Sequence, residues 1–352
     1  MANTSIWEAI IVGGGLAGLS AAIYLGRAQR ESLVIDSGKS MARWEPEAQN
    51  YLGFPEGVAG EALLIRGRKQ ARRYGIRIIR DRIIDARARK GLFSLRGEKG
   101  SYTALRLLLA TGIFHLPPEI PGINPCLGHS MFFCKDCDGY RARGKSVAVY
   151  GWTNETVTTA LGMLLYSACV VIMTDGRQPR WDGKHSRWIR EYKIPVYSKK
   201  IVGVERNGRR IRALRLSDAA EVATGAIFTT RGDIYLNELA KGLGAEVDPE
   251  GQIVVDTDLR TTVKGLYAAG CVTPANCQMI IAAGQGAAAA QAINRDLFAE
   301  SLRTHSLRQF RASQLRNQGT RPPLVKLPRR TKKMKGWKNV AGRAHSVSAH
   351  VR

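Results

Sequence analysis

Glu8-Ala9-Ile10-Ile11-Val12-Gly13-Gly14-Gly15-Leu16-Ala17-Gly18 is the stretch whose reading decides the fold. A short apolar run meets a glycine turn. Leu19–Arg27 then has the periodicity of a helix, and a second apolar run, Leu33-Val34-Ile35, ends on Asp36. Strand, glycine turn, helix, strand and acid, in that order, are the full context of a dinucleotide fingerprint. Gly13 permits the tight turn and Gly15 lets backbone approach a pyrophosphate. Gly18, with Ala21 and Ala22, lets the helix lie close to the sheet. Gly14, Leu16 and Ala17 complete the turn that aims the helix N-terminus, with its unpaired N–H groups and positive dipole end, at the phosphates. Asp36, 18 residues after Gly18, is placed to accept ribose hydroxyls.

Downstream, Asn50-Tyr51-Leu52-Gly53-Phe54-Pro55 precedes an amphipathic helix from about Gly60 to Tyr74. Strand-like runs at Ile76–Ile79 and Leu105–Leu109 follow, the second running into Ala110-Thr111-Gly112, small residues that allow a ring or backbone to come close. Pro117-Pro118 and Pro121-Gly122 mark a crossing into a second domain. There Ser146–Tyr150, a helix near Glu155–Ser167 and Cys169–Thr174 spell a second βαβ unit. Its turn, Gly151-Trp152-Thr153-Asn154-Glu155-Thr156, keeps only the first glycine of a fingerprint. Thr153 puts a Cβ where a pyrophosphate would approach, and Thr156 replaces the small helix-packing residue. Asp175 would suit a ribose hydroxyl and repel a 2′-phosphate, with Arg177 and Arg180 nearby. Short alternating runs between Val196 and Phe228 read as further strands, as do Gln252–Val255 and Gly265–Gly270. After Gln278 comes a helix crowded with small residues, Ile281–Asn294, suited equally to packing on a cofactor or on a sheet.

Between the two units lies Cys134-Lys135-Asp136-Cys137-Asp138-Gly139. Two cysteines at this spacing can close a disulfide in a tight turn, one thiolate attacking a partner and the other resolving the mixed disulfide. Lys135 would favour the thiolate, and Asp138 is an acid able to move a proton beside the second sulfur. Zinc would require two more ligands. Cys271 and Cys277, with five residues between them, and the lone His129 supply no second close pair, so the redox reading leads and no metal is expected.

The net charge of +25 is unevenly spread. Residues 301–352 hold 14 Lys and Arg with no acid, leaving 40 Lys and Arg against 29 Asp and Glu in residues 1–300. The tail from Thr304 is too charged and too poor in apolar residues to fold alone. It reads as disordered, able to touch nucleic acid through runs such as Arg329-Arg330-Thr331-Lys332-Lys333, though a merely solvated tail is favoured. No apolar run is long enough to span a bilayer, and Met1–Glu8 lacks a signal pattern, so a cytoplasmic protein without membrane contact is expected. Six cysteines in 352 residues are not a structural disulfide framework.

Taken in order, the glycine turn, Asn50–Pro55, Ala110-Thr111-Gly112, Cys134–Gly139 and Gly265–Gly270 resemble the low-molecular-weight thioredoxin reductase family over about residues 6–300. The resemblance implies an α/β protein of two Rossmann-like nucleotide-binding domains, the second inserted in the first. FAD would be held by a split domain, 1–115 plus 245–300, with the cysteine pair on the insert, 116–244, and a basic tail at 301–352. It further implies that Cys137 faces the flavin, Cys134 exchanges with an outside disulfide and Asp138 is the acid–base residue. Gln278 and the following helix N-terminus would lie near the flavin pyrimidine. The partner implied is a thioredoxin-like protein or a small dithiol or disulfide, and the assembly a homodimer. Cys271, after Gly270, stands where the family usually has an aspartate touching the ribityl chain, and Cys277 where it has an arginine. With the second fingerprint broken, the chain looks like an atypical branch that has lost its NADPH motifs: diflavin-linked, ferredoxin-dependent or dithiol oxidase in type. A second FAD or NAD(P)H on the insert is the remaining cofactor expectation, with Trp152 either stacked on it or packed in the turn. The alternatives are a dithiol oxidase passing electrons to oxygen and a flavin-binding redox sensor with a nucleic-acid-binding tail.

Overall fold

The structure, a computed structural model, describes residues 6–318. Residues up to Ala299 form one compact unit and Glu300 onward a second.

In the first unit, β1 (Ile6–Val12), α1 (Leu16–Arg27), β2 (Ser32–Asp36), α2 (Gly60–Arg73) and β3 (Arg77–Arg80) make two successive parallel crossovers. A β4 (Ile83–Arg89), β5 (Leu92–Gly97), β6 (Ser101–Leu109) meander then brings β6 back beside β1, giving the order β3-β2-β1-β6-β5-β4. Ile10 lies opposite Leu33 on one side and Leu107 on the other. Because side chains alternate across a strand, the apolar runs feed both faces. Ala9, Ile11, Val34 and Leu108 pack with α1 residues Ala21 and Leu25, whereas Ile10, Val12, Leu33 and Leu107 join Phe93 and Leu95 on the opposite face.

After β7 (Ile113–His115) the chain enters a second sheet. β8 (Met131–Phe132) leads into the single helical turn α3 (Lys135–Asp138), followed by β9 (Val147–Tyr150), α4 (Asn154–Met163), β10 (Val170–Met173), α5 (Gly183–Glu191) and β11 (Val196–Tyr197). An antiparallel trio, β12 (Ile201–Asn207), β13 (Arg210–Leu216) and β14 (Glu221–Ala223), precedes β15 (Ala226–Thr229), which completes a parallel sheet ordered β11-β10-β9-β15-β8. β16 (Asp233–Tyr235) pairs with β7, and α6 (Glu238–Gly242) follows. The chain rejoins the first sheet through β17 (Leu266–Ala268), parallel to β6, before α7 (Met279–Arg303). The architecture is mixed α/β with two Rossmann-like parallel sheets.

Two expectations change. Gln252–Val255 is not a strand: Ile253 forms one isolated bridge, to Val247, because its N–H goes to Val272 while the next amide goes to Glu246, so no ladder propagates. The tail from Thr304, expected to be disordered, is helical over α8 (Ser306–Gln318); the basic run at 329–333 lies outside the described residues.

Candidate active site

A cavity of about 550 Å³, in the range that holds cofactor-sized ligands, opens where the first turn, the cysteine turn and the β17–α7 loop converge. The three glycines of the first fingerprint do different work. At Gly13 (φ +110°) a Cβ would sit 2.2 Å from the Ala110 carbonyl oxygen, and at Gly18 it would sit 1.9 Å from that of Gly13. These two glycines pack backbone on backbone, and Gly18 is not on the cavity wall. At Gly15 a Cβ meets only Ser40 Oγ, at 3.4 Å, so the space it leaves belongs to the cavity. Gly14, Leu16 and Ala17 also line it, as do Asn50, Ala110, Thr111 and Gly112. Asp36 Oδ1 accepts N–H bonds from Gly14 at 3.3 Å and Gly38 at 2.9 Å, and Oδ2 meets the Arg68 guanidinium at 3.3 Å. That occupies three of a carboxylate's about four acceptor sites and leaves one for a hydroxyl. An open cradle of glycine backbone above a braced acid fits a dinucleotide such as FAD.

On another wall Cys134 and Cys137 form a disulfide with Cα atoms 5.3 Å apart. The Cys137 amide donates to Cys134 Sγ at 3.1 Å, capping α3. Lys135 does not serve the sulfurs: its ammonium is bonded to Asp136 at 2.6 Å. Asp138 is buried beside the pair, and burial pushes its carboxyl up while Arg141, 3.1 Å away, pulls against that shift. The same Arg141 nitrogen reaches Glu45 at 3.3 Å, and its other terminal nitrogen donates to the Gly128 carbonyl at 2.9 Å. Burial first, and the charge of Asp138 second, push Glu45 up to about 7. Two carboxyls bracketing one guanidinium, both pushed upward by burial, therefore stand on the same cavity wall as the cysteine pair, placed to hold or move a proton. An aromatic wall of Phe133 stacked on His115 (centroids 4.7 Å apart), with Trp44 tilted on Phe133 at 5.9 Å, completes this side. Glu45, Arg141 and Trp44 escape the sequence reading because only tertiary packing brings them to the cysteines.

The third wall is the β17–α7 loop, where Gly270, Cys271, Cys277 and Gln278 face the cavity. Cys271 and Cys277 are joined in a second disulfide, Cα atoms 4.8 Å apart. Farther along α7, Gly286 packs on the Ala17 backbone, where a Cβ would clash at 2.0 Å, so this part of the small-residue helix serves helix packing.

The second turn is sealed. Thr153 and Thr156 form a reciprocal capping box, each side chain accepting the other's backbone N–H. Thr156 Oγ1 also bonds Thr230 Oγ1 at 2.8 Å, and both oxygens lie within 2.4 Å of a Cβ built at Gly151. The Asp175 carboxylate, expected to suit a ribose, accepts instead from the Tyr150 hydroxyl at 2.8 Å and the Ile201 amide at 2.7 Å. Trp152 carries the Arg177 guanidinium 4.4 Å over its ring and packs against the core of the second sheet.

The model of the family described as pyridine nucleotide-disulphide oxidoreductase matches residues 7–292. A thioredoxin reductase of Treponema pallidum (strain Nichols) is 32% identical over 296 residues, covering 81% of this chain and 95% of that protein. Among solved structures, HlmI superposes with a TM-score of 0.80 at 28% identity, covering 88% of this chain and 98% of its own. An oxidoreductase from Agrobacterium tumefaciens superposes at 0.73, also 28% identical, covering 84% and 99%.

Proposed function

The chain belongs to the pyridine nucleotide-disulphide oxidoreductase family, and from that premise we propose that it is an FAD-dependent disulfide oxidoreductase working through Cys134 and Cys137. The observation that carries this reading is that the dithiol and the first glycine cradle line one cavity. The split domain 1–115 plus 245–300 holds the cofactor through Gly13–Ala17, Asp36, Asn50, Ala110–Gly112, Gly270, Cys271 and Gln278, and the insert 116–244 carries the dithiol. When bound there, FAD supplies two-electron chemistry to the disulfide. Asp138 and Glu45, sharing Arg141, hold the proton that the departing thiolate needs. Cys134 exchanges with the disulfide or dithiol of a thioredoxin-like protein or small molecule, and the assembly is a homodimer. Reductant does not enter at the second turn, because its amides are capped by threonine side chains and its acid is engaged.

An anaerobic titration of the purified protein with NADPH and NADH, followed by flavin absorbance, tests this reading. We expect no bleaching by either nucleotide but full bleaching by dithiols or a photoreduced one-electron donor. Stoichiometric bleaching by NADPH would overturn the sealed-turn argument, and a protein that takes up no FAD would overturn the whole assignment. The Cys134→Ser variant keeps its flavin and loses dithiol turnover. Oxygen uptake driven by dithiol would fix the direction as that of a dithiol oxidase.

A further inference from the structure

The redox cysteines at 134 and 137 share their cavity with a second cysteine pair. Cys271 follows the last residues of β17 and Cys277 precedes α7, so their bond spans the loop that forms the opposite wall. Both are half-buried, and Pro274 and Asn276 between them are exposed, which gives an incoming thiol a path to the sulfurs. By contrast, the two cysteines without a disulfide stand apart from the site, Cys126 buried and Cys169 exposed.

A staple is not what this loop lacks. A separation of six residues closes a short ring, and short rings remove little entropy from the unfolded chain. The loop is also pinned by other bonds: the Gly270 amide donates to Gln285 Oε1 at 2.7 Å, Thr273 Oγ1 donates to the Gly270 carbonyl at 2.8 Å, and the Ile253 amide donates to the Val272 carbonyl at 2.8 Å. Those contacts hold the Gly270–Thr273 half of the segment, in part to α7 itself, whether the sulfurs are joined or not. What the bond adds is a reducible group on the wall of a redox cavity, within reach of solvent.

We propose that Cys271–Cys277 is a second redox-active disulfide, opened by exchange with a dithiol, which gives each chain an additional two-electron store. The proposal rests on the reading of this cavity as a redox site. In the step, a thiolate of the incoming dithiol attacks one sulfur and the Cys271–Cys277 bond breaks. The incoming molecule's second thiol then displaces the cysteine still attached. The incoming dithiol leaves as a disulfide, oxidised by two electrons, and its two protons end on Cys271 and Cys277. The protons come by way of solvent, which reaches the loop at the exposed Pro274 and Asn276.

The test is differential alkylation of the purified holoprotein. Samples equilibrated anaerobically with graded dithiothreitol are acid-quenched, alkylated under denaturing conditions and digested, and mass spectrometry reads the labelled fraction at each cysteine. Labelling of Cys271 and Cys277 is expected to rise together while the protein remains folded. The same rise is expected in the Cys134→Ser/Cys137→Ser variant, and an excess of oxidised glutathione should lower the label at least tenfold. A dithionite titration of Cys271→Ser/Cys277→Ser should take up two fewer electrons per chain than wild type. Label appearing only when dithiothreitol is combined with denaturant would make the bond a structural staple, and label appearing without reductant would make the cysteines free thiols. Either outcome overturns the proposal. Flavin absorbance and labelling of Cys134 and Cys137 in the same samples report on the proposed function separately.

Discussion

At Gly13 an added methyl group would press on the Ala110 carbonyl from a backbone at φ +110°, whereas at Gly15 it would project into open cavity. The two positions should therefore respond oppositely to substitution. Gly13→Ala is expected to cost about 2 kcal/mol or more, from a left-handed alanine and a backbone clash, and urea unfolding measures it. Gly15→Leu should leave unfolding within about 0.5 kcal/mol of wild type and yield a colourless protein. Glu45 gives a second residue-scale test. Its folded pKa, raised from 4.5 to about 7, means the native state keeps a proton that the unfolded chain has lost. Its contribution to stability is therefore complete below about 4.5 and declines as pH rises through about 7. Glu45→Gln should flatten the fall in Tm over that window, as calorimetry across pH would show. The glycines could be read from spacing alone because a turn constrains its own residues. Glu45 could not: it meets Arg141 across 96 residues, and nothing local in Met41–Trp44 announces an acid–base partner.

Among the elements, α4 owes its start to the capping box of Thr153 and Thr156 and to the Thr156–Thr230 bond, all at the turn that follows β9. Thr156→Ala removes both attachments and should destabilise the protein by about 1–2 kcal/mol, read from the urea midpoint. β17 and α7 are joined by another local knot: Asp296 takes both a bidentate Arg260 and the Tyr267 hydroxyl. Parallel βαβ elements were legible because their apolar runs are continuous and alternate with helical periodicity, even where, as at Gly151–Thr156, the turn keeps one glycine. Gln252–Val255 misled for a physical reason: its run of β-branched residues suits a strand, but the Ile253 and Val254 amides bond to different neighbours, and a ladder depends on one partner being followed along its length. α7 ran past the expected Asn294 to Arg303 because no proline or glycine stops it there.

For the whole molecule, the sequence conveyed two nucleotide-type sheets through the repeated strand–turn–helix–strand order, and the structure has them, one ordered β3-β2-β1-β6-β5-β4 and the other β11-β10-β9-β15-β8. That the second disulfide and the first would share a cavity could not be read, since their order along the chain says nothing of which walls face each other. Charge is also divided at this scale. Removing residues 304–352 discards most of the 14 basic groups of the last stretch, and we expect unchanged dithiol turnover with weaker, less salt-sensitive retention on a polyanion column. Lost turnover would show that the tail belongs to the catalytic unit. The sealed second turn, finally, has a consequence for descent. Its two threonines hold each other's amides, so replacing either one alone forfeits a cap while the other still fills the turn. A lineage that opens this turn one substitution at a time passes through a less stable intermediate whose turn is still filled. The lock is mutual.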